Sequence, residues 1–164
     1  MGQPHMLERV FLSRQARGFT IIELMTVVVI MAVLAALAAP SFRSFMINQR
    51  VKTASFDLYS TLLFARSEAI KRPAGSLLIT PTNASNWADG WSVTFGTVVL
   101  RQQDAIRDIS ITGPASLQFT HNGRSNATAV FSLNATGVSG VMGRCVSTTL
   151  SGGLTTKIQP AGGC

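Results

Sequence analysis

Histidine, cysteine and acidic side chains are all scarce in this sequence, and each scarcity closes off a class of chemistry. Seven Asp and Glu stand against fourteen Lys and Arg in 164 residues. Among those acids, Asp57, Glu68, Asp89, Asp104 and Asp108 form no paired motif for general acid–base work. His121 lies in an apparent strand beside a turn, where a surface role is the default reading. No glycine-rich phosphate loop and no metal-ligand spacing occurs. These absences argue against an enzyme, and neither a metal nor a cofactor is expected. Cysteine is limited to Cys145 and Cys164. Both lie far along the chain and share one compartment, so they are either bridged there, if it is oxidising, or two free thiols.

What the chain does have is positive charge and one long apolar run. The net charge of +7 is compatible with nucleic acid, anionic lipid or plain solubility, and charge alone does not choose among them. The apolar run extends from Phe19 to Ala39, and its only strongly polar side chain is Glu23. It matches the roughly 20 residues that an α-helix needs to cross a bilayer, although a buried helix of a soluble protein passes the same test. The length left over suits one small globular domain.

Residues 1–18 read as a leader in which Arg9, Arg14 and Arg17 surround a short apolar patch and Gly18 stands directly before Phe19. A secretory signal carries its small-residue cleavage site after the apolar core, and here the small residue precedes it. Loss of this leader would remove three arginines and one glutamate, taking the charge from +7 to +5. Because Arg43, Arg50 and Lys52 follow the apolar run closely, the positive-inside rule gives no orientation.

Glu23 is costly inside a membrane unless it is near the interface, neutral or paired. One reading has it snorkelling from the first helical turn. The other uses its spacing: four residues from Phe19, it shares a helix face with that residue. A cut after Gly18 would give Phe19 a new positive amine, a partner for the Glu23 carboxylate in the same chain or the next.

The string Gly18-Phe19-Thr20-Ile21-Ile22-Glu23-Leu24 resembles the processing site of type IV pilins and pseudopilins, and Pro40 stands where those proteins carry a proline that kinks the helix. The resemblance implies cleavage between Gly18 and Phe19 by a prepilin peptidase, N-methylation of Phe19, and assembly with other pilins or pseudopilins through the N-terminal helix and Glu23. It also implies an inner-membrane protein that crosses once, with the leader in the cytoplasm and the rest in the periplasm.

Beyond Pro40, Ile47, Val51, Ala54, Leu58, Leu62, Ala65 and Ala69 recur at spacings of three and four, which predicts an amphipathic helix to Arg72, stopped by Pro73 and Gly75. From Ser76 the pattern changes to short β-branched and aromatic runs: Leu77–Thr80, Trp91–Phe95, Val98–Arg101, Ile106–Thr112, Leu117–His121, Ala129–Leu133, Cys145–Leu150 and Leu154–Ile158. Turns are expected at Asp89-Gly90, Gly113-Pro114, Asn122-Gly123 and Gly152-Gly153, and a bulge or kink at Gly96. The fold class is therefore α+β, a long helix packed on a small antiparallel sheet or two. The expected divisions are a leader at 1–18, a membrane half of the helix at 19–40, an amphipathic half at 41–72 and a β-rich domain at 73–164. Trp87 and Trp91 bracket the Asp89-Gly90 turn and are expected to pack in the core.

The segments Phe64-Ala65-Arg66-Ser67-Glu68-Ala69 and Trp87-Ala88-Asp89-Gly90-Trp91 are similar to the group that unites FimT-like minor pilins with GspH pseudopilins of type II secretion. Arg66 and Glu68 are expected on a solvated face near the helix end. The tail resembles the disulfide-bounded loop of many pilins, with Cys145 and Cys164 as its ends. Some FimT-like proteins capture DNA through a Gly-Arg-x-Arg element. Here Gly123-Arg124-Ser125-Asn126 and Gly143-Arg144-Cys145-Val146 both lack the second arginine, so Arg101, Arg107, Arg124, Arg144 and Lys157 are the remaining candidates for a DNA-binding patch. The expected function is that of a filament subunit, with DNA capture as the alternative.

Overall fold

The computed structural model describes residues 18–72, 75–84, 86–160 and 163–164. The expected leader, with Arg9, Arg14 and Arg17, lies outside the described residues, apart from Gly18, and so does Pro73. The chain divides into two compact units that meet between Ala39 and Pro40. One α-helix, α1 (Ile21–Lys71), contributes to both.

In the first unit α1 is capped by its own sequence. Thr20 accepts a hydrogen bond on its Oγ1 from the Glu23 amide at 3.2 Å, and the Leu24 amide donates to the Thr20 carbonyl at 3.1 Å. This makes Thr20 the N-cap and puts Glu23 at the third helical position, the Thr-x-x-Glu arrangement of a capping box. The hydroxyl of Thr26 donates to the Ile22 carbonyl at 2.8 Å, so this polar group is satisfied within the helix. Every side chain from Phe19 to Ala39 is exposed, and this stretch makes α1 long and apolar enough to cross a membrane.

In the second unit α1 turns one stripe inward. All seven positions of the expected stripe, Ile47, Val51, Ala54, Leu58, Leu62, Ala65 and Ala69, are buried. Ser55 and Thr61 are buried beside them, and their hydroxyls donate to the carbonyls of Lys52 and Asp57. Among the described residues eight strands follow: β1 (Ser76–Asn83), β2 (Asn86–Phe95), β3 (Val98–Gln103), β4 (Ile109–Thr112), β5 (Leu117–Thr120), β6 (Ala129–Ala135), β7 (Arg144–Thr148) and β8 (Leu154–Ile158). They form two antiparallel four-stranded sheets, ordered β3-β2-β1-β5 and β4-β6-β7-β8. Inward residues of both sheets, among them Leu77, Ile79, Phe119, Phe131 and Leu133, join the helix stripe in one core. Trp87 and Trp91 are fully buried in it. The Trp87 ring meets Phe131 edge-on at 4.8 Å between centroids, and its indole N–H donates to the Pro114 carbonyl at 2.8 Å.

Three local expectations are corrected. Asp89-Gly90 is not a turn, because both residues lie within β2. Gly90 has φ of 103°, and a Cβ there would stand 2.4 Å from the Gln103 carbonyl, so glycine serves close strand approach instead. Gly96 is not a bulge. With Thr97 it makes the two-residue turn that joins β2 to β3, pairing Phe95 with Val98, while the register shift falls between Val93 and Thr94. The run Ile106–Thr112 is a strand only from Ile109, because Arg107 and Asp108 form a turn with Asp108 at φ 63°. Turns fall near both expected glycine pairs, but their central residues are His121-Asn122 and Leu150-Ser151, with Gly123 and Gly152 at positive φ directly after them; the second joins β7 to β8. The first closes only a single bridge, Phe119 to Ser125, because β5 and β6 enter different sheets.

Cys145 in β7 is bridged to Cys164. The bond closes a segment containing β8 and the glycine-rich tail, which has little apolar surface to hold it down. In the chain-entropy account, replacing both cysteines by serine costs about 3 kcal/mol of stability. Denaturant unfolding of the full chain, followed by the emission of its two buried tryptophans, is the measurement. An unchanged midpoint would mean that strand pairing alone fastens the tail.

Candidate functional site

Two constellations stand out: the start of α1 and its far end. At the start, Gly18 has no heavy atom within 4 Å of the place where a side chain would begin, and Phe19 is 81% exposed. The Gly18–Phe19 peptide therefore lies in reach of another protein. One turn further, Glu23 sits where the helix dipole favours a negative charge. The only carboxylate of the apolar stretch is thus held by local helix chemistry four residues from Phe19. The signal that sequence reasoning passed over here is Thr20 followed three residues later by Glu23.

At the far end, Arg66, Glu68 and Arg72 each act differently. The Arg66 Nε donates to the Gly123 carbonyl at 3.2 Å, fastening the helix to the turn after β5. Gly152 fits against that same carbonyl and against Arg66, and a Cβ there would lie 2.0 Å from the Gly123 oxygen. Glu68 accepts from Lys71 at 2.7 Å and pairs with Arg72 at 3.5 Å, so its contacts are to the helix itself. The Arg72 guanidinium also lies over the Phe95 ring, 4.6 Å from its centroid. A solvated charge face was the expectation for Arg66 and Glu68, but the Glu68 side chain is only 19% exposed and Arg66 reaches into the β region. Sequence reasoning also missed the ion pair between Arg50 and Asp108, which joins α1 to the turn before β4. The positive φ of Asp108 aims that pair and left no mark in the residue pattern.

The five candidate DNA-binding cations do not come together. Arg101 on β3 turns toward the helix, donating to the Ser60 hydroxyl at 3.5 Å and lying 5.8 Å from the Phe64 ring centroid. Arg107 and Arg124 are exposed in separate turns. Arg144 begins β7, opposite Ile158, and Lys157 pairs with Cys145. Neighbouring residues of a strand point to opposite faces, so Arg144 and Lys157 diverge. Among the described residues no group of three His, Cys, Asp or Glu is placed to hold a metal ion.

Comparison with known proteins bears on both constellations. The family model for type II transport protein GspH matches residues 54–152, from the buried half of α1 through the turn between β7 and β8. The chain belongs to the GspH family. The model of the prokaryotic N-terminal methylation motif matches residues 13–39, which include Gly18, Phe19 and Glu23 and imply processing by a prepilin peptidase. Among solved structures, this GspH-family chain is similar to the type IV minor pilin FimU of Pseudomonas aeruginosa at 22% identity and a TM-score of 0.58, over 72% of this chain and 94% of that one. It is also similar to the minor pseudopilin EpsH from the type 2 secretion system of Vibrio cholerae, at 13% identity and a TM-score of 0.53, over 66% and 97% of the two chains. At these identities the likeness is one of fold, the pilin fold of a long N-terminal helix on antiparallel sheets. No curated protein matches the chain.

The hydrogen bond from Lys71 holds the Glu68 carboxyl below the ordinary glutamate range, the charges of Lys71 and Arg72 adding to it and desolvation opposing it. A lowered carboxylate pKa adds stability above the unfolded-state value, and that contribution is lost as pH falls through the folded-state value. Glu68→Gln should therefore lower stability at neutral pH and leave it nearly unchanged at low pH, where the carboxyl is protonated, so that the acid limb of the stability–pH curve flattens. Unfolding midpoints from pH 3 to 7 check this, and an unaltered acid limb would assign the acid sensitivity elsewhere.

Proposed function

We propose that this GspH-family protein is a minor subunit of a type IV pilus or of the related type II secretion filament. In this reading a prepilin peptidase cuts between Gly18 and Phe19 and the new Phe19 amine is methylated. The helix then holds the protein in the inner membrane, crossing once, with the second unit in the periplasm. Its role is assembly rather than chemistry, and the chain is itself the substrate of the peptidase and the methyltransferase.

The observation that carries this reading is the exposure of every side chain from Phe19 to Ala39, combined with a lone carboxylate in the first turn. A helix apolar on all sides needs a wholly apolar environment, which a bilayer provides first and a bundle of like helices can provide next. The carboxylate makes the second environment selective, because a buried charge is costly until an opposite charge meets it. The Phe19 amine of a neighbouring subunit meets that need and sets the axial register as a monomer leaves the bilayer. The expected outcome for Glu23→Ala is normal leader removal and membrane insertion with a large loss from sheared filaments, measured by immunoblot of both fractions. Undiminished recovery in filaments would contradict the register pair.

The alternative, DNA capture by the basic domain, draws its support from net charge alone, since its five cations lie apart. Phosphate binding would appear as a mobility shift that weakens steeply with salt. The full chain in detergent is expected to give no such shift, and a strongly salt-dependent one would restore the DNA reading.

A further inference from the structure

The two sheets have four outer strands, β3 and β5 in one and β4 and β8 in the other. An outer strand leaves a row of backbone N–H and C=O groups without a neighbour, and folded proteins close or break such rows. On β5, the Gln118 carbonyl accepts from the Asn126 amide and the Gln118 amide donates to the Asn126 side chain, both at 3.0 Å. On β4, the Ile111 amide donates to the Asn86 side-chain oxygen at 3.4 Å. On β3, the register shift opposite Val93 and Thr94 inserts Leu100 as a bulge. β8 differs from all three. The Gln159 amide donates to the Gly143 carbonyl and the Thr149 amide to the Gly153 carbonyl, each at 2.9 Å. Those bonds stand at either end of the β7–β8 ladder and set its alternation. Thr155 and Lys157 bond to Ser147 and Cys145, while the N–H and C=O groups of Leu154, Thr156 and Ile158 point away from β7. Among the described residues no hydrogen bond closes that row.

The side chains beside the row decide what can fill it. Thr155 and Lys157 are exposed on one face of β8, and Leu154, Thr156 and Ile158 lie on the other, where Ile158 is 55% exposed. From residue 109 to residue 164 the chain contains no Asp or Glu, so no acidic side chain on the sheet β4-β6-β7-β8 offsets Lys157. A second copy of β8 would therefore bring lysine toward lysine. Among the described carboxylates only Asp89 lies in a strand, and that strand, β2, has a neighbour on each side, so no outer strand of a second copy offers an acid. We propose that β8 is a docking edge for an extended segment of a different polypeptide, one that alternates acidic with apolar residues. The segment adds as a further strand, pairing its backbone with Leu154, Thr156 and Ile158 and setting its acids beside Lys157 and its apolar side chains beside Ile158. Lysine on an outer strand guards against self-association, and the same charge selects an acidic strand. This inference goes beyond the assembly reading and stands without it.

The test uses the full chain in a non-ionic detergent and two synthetic peptides, one alternating valine with glutamate and the other valine with lysine. Residue-resolved amide hydrogen exchange is the readout. The expected result is fast exchange at Leu154, Thr156 and Ile158 in the free chain, slowed about tenfold or more by the glutamate peptide and unchanged by the lysine peptide. Thr156→Pro removes an amide that β7 does not use, so it should keep the unfolding midpoint and lose the protection. Should Thr156→Pro fold poorly, Lys157→Glu carries the test, because it should reverse the preference between the two peptides. Protection by neither peptide overturns the docking edge, and equal protection by both overturns charge recognition. Protection on β3 in place of β8 overturns the assignment of the strand. Slow exchange at Leu154, Thr156 and Ile158 in the free chain would mean that the edge is already covered, which also overturns the proposal.

Discussion

The structure depends on one constraint, the need to cover an apolar stripe on a helix that water would otherwise surround. From Ile47 to Ala69 seven apolar side chains recur on one face, and all seven are buried by strands that come later in the chain. Fully burying each of the larger ones is worth about 1.5–3 kcal/mol, so the stripe is the largest single reason for the sheets to gather there. The sheets need the helix equally, since Leu77, Ile79, Phe119 and Phe131 join the same core. Trp87 and Trp91 fill the space between the elements. The peripheral fastenings, Arg66 to Gly123 and the disulfide of the tail, act on turns and on a segment that the core does not hold.

On the other side of Ala39 the same helix meets the opposite requirement. From Phe19 to Ala39 no side chain is covered, and the only carboxylate of that stretch is placed in the first turn by a threonine cap. Membership of the GspH family, together with the N-terminal methylation motif, connects the two requirements. In the proposed function a bilayer and then a bundle of similar helices meet the first, while the chain's own strands meet the second. The division of labour follows from hydropathy: a helix apolar all round seeks an apolar medium, whereas a striped helix seeks one partner.

The periodic parts of this arrangement were legible in the sequence. The stripe was read residue for residue, and each of the eight strands among the described residues overlaps an expected run, although β2 begins at Asn86, before the run found from Trp91. What escaped depends on groups distant in sequence. Gly90 looked like a turn residue, yet its need for glycine comes from a carbonyl on a neighbouring strand. Ile106 looked like the start of a strand, but it is tied to Ala88 of β2, and the turn at Arg107 and Asp108 delays the strand to Ile109. The candidate site shows the same split. Gly18, Phe19 and Glu23 form a local motif and were readable, as was the cysteine pair. The partner of Arg66 and the separation of the five basic residues depend on how the strands are sorted between two sheets.

The central claim is that Phe19 becomes a free, methylated amine at the head of a membrane helix with Glu23 one turn away. Intact-mass and N-terminal peptide mass spectrometry of the protein taken from its native membrane tests this most directly. The expected result is a chain that begins with N-methylated Phe19. A chain that keeps its leader, or that is cut at another residue, would contradict the account.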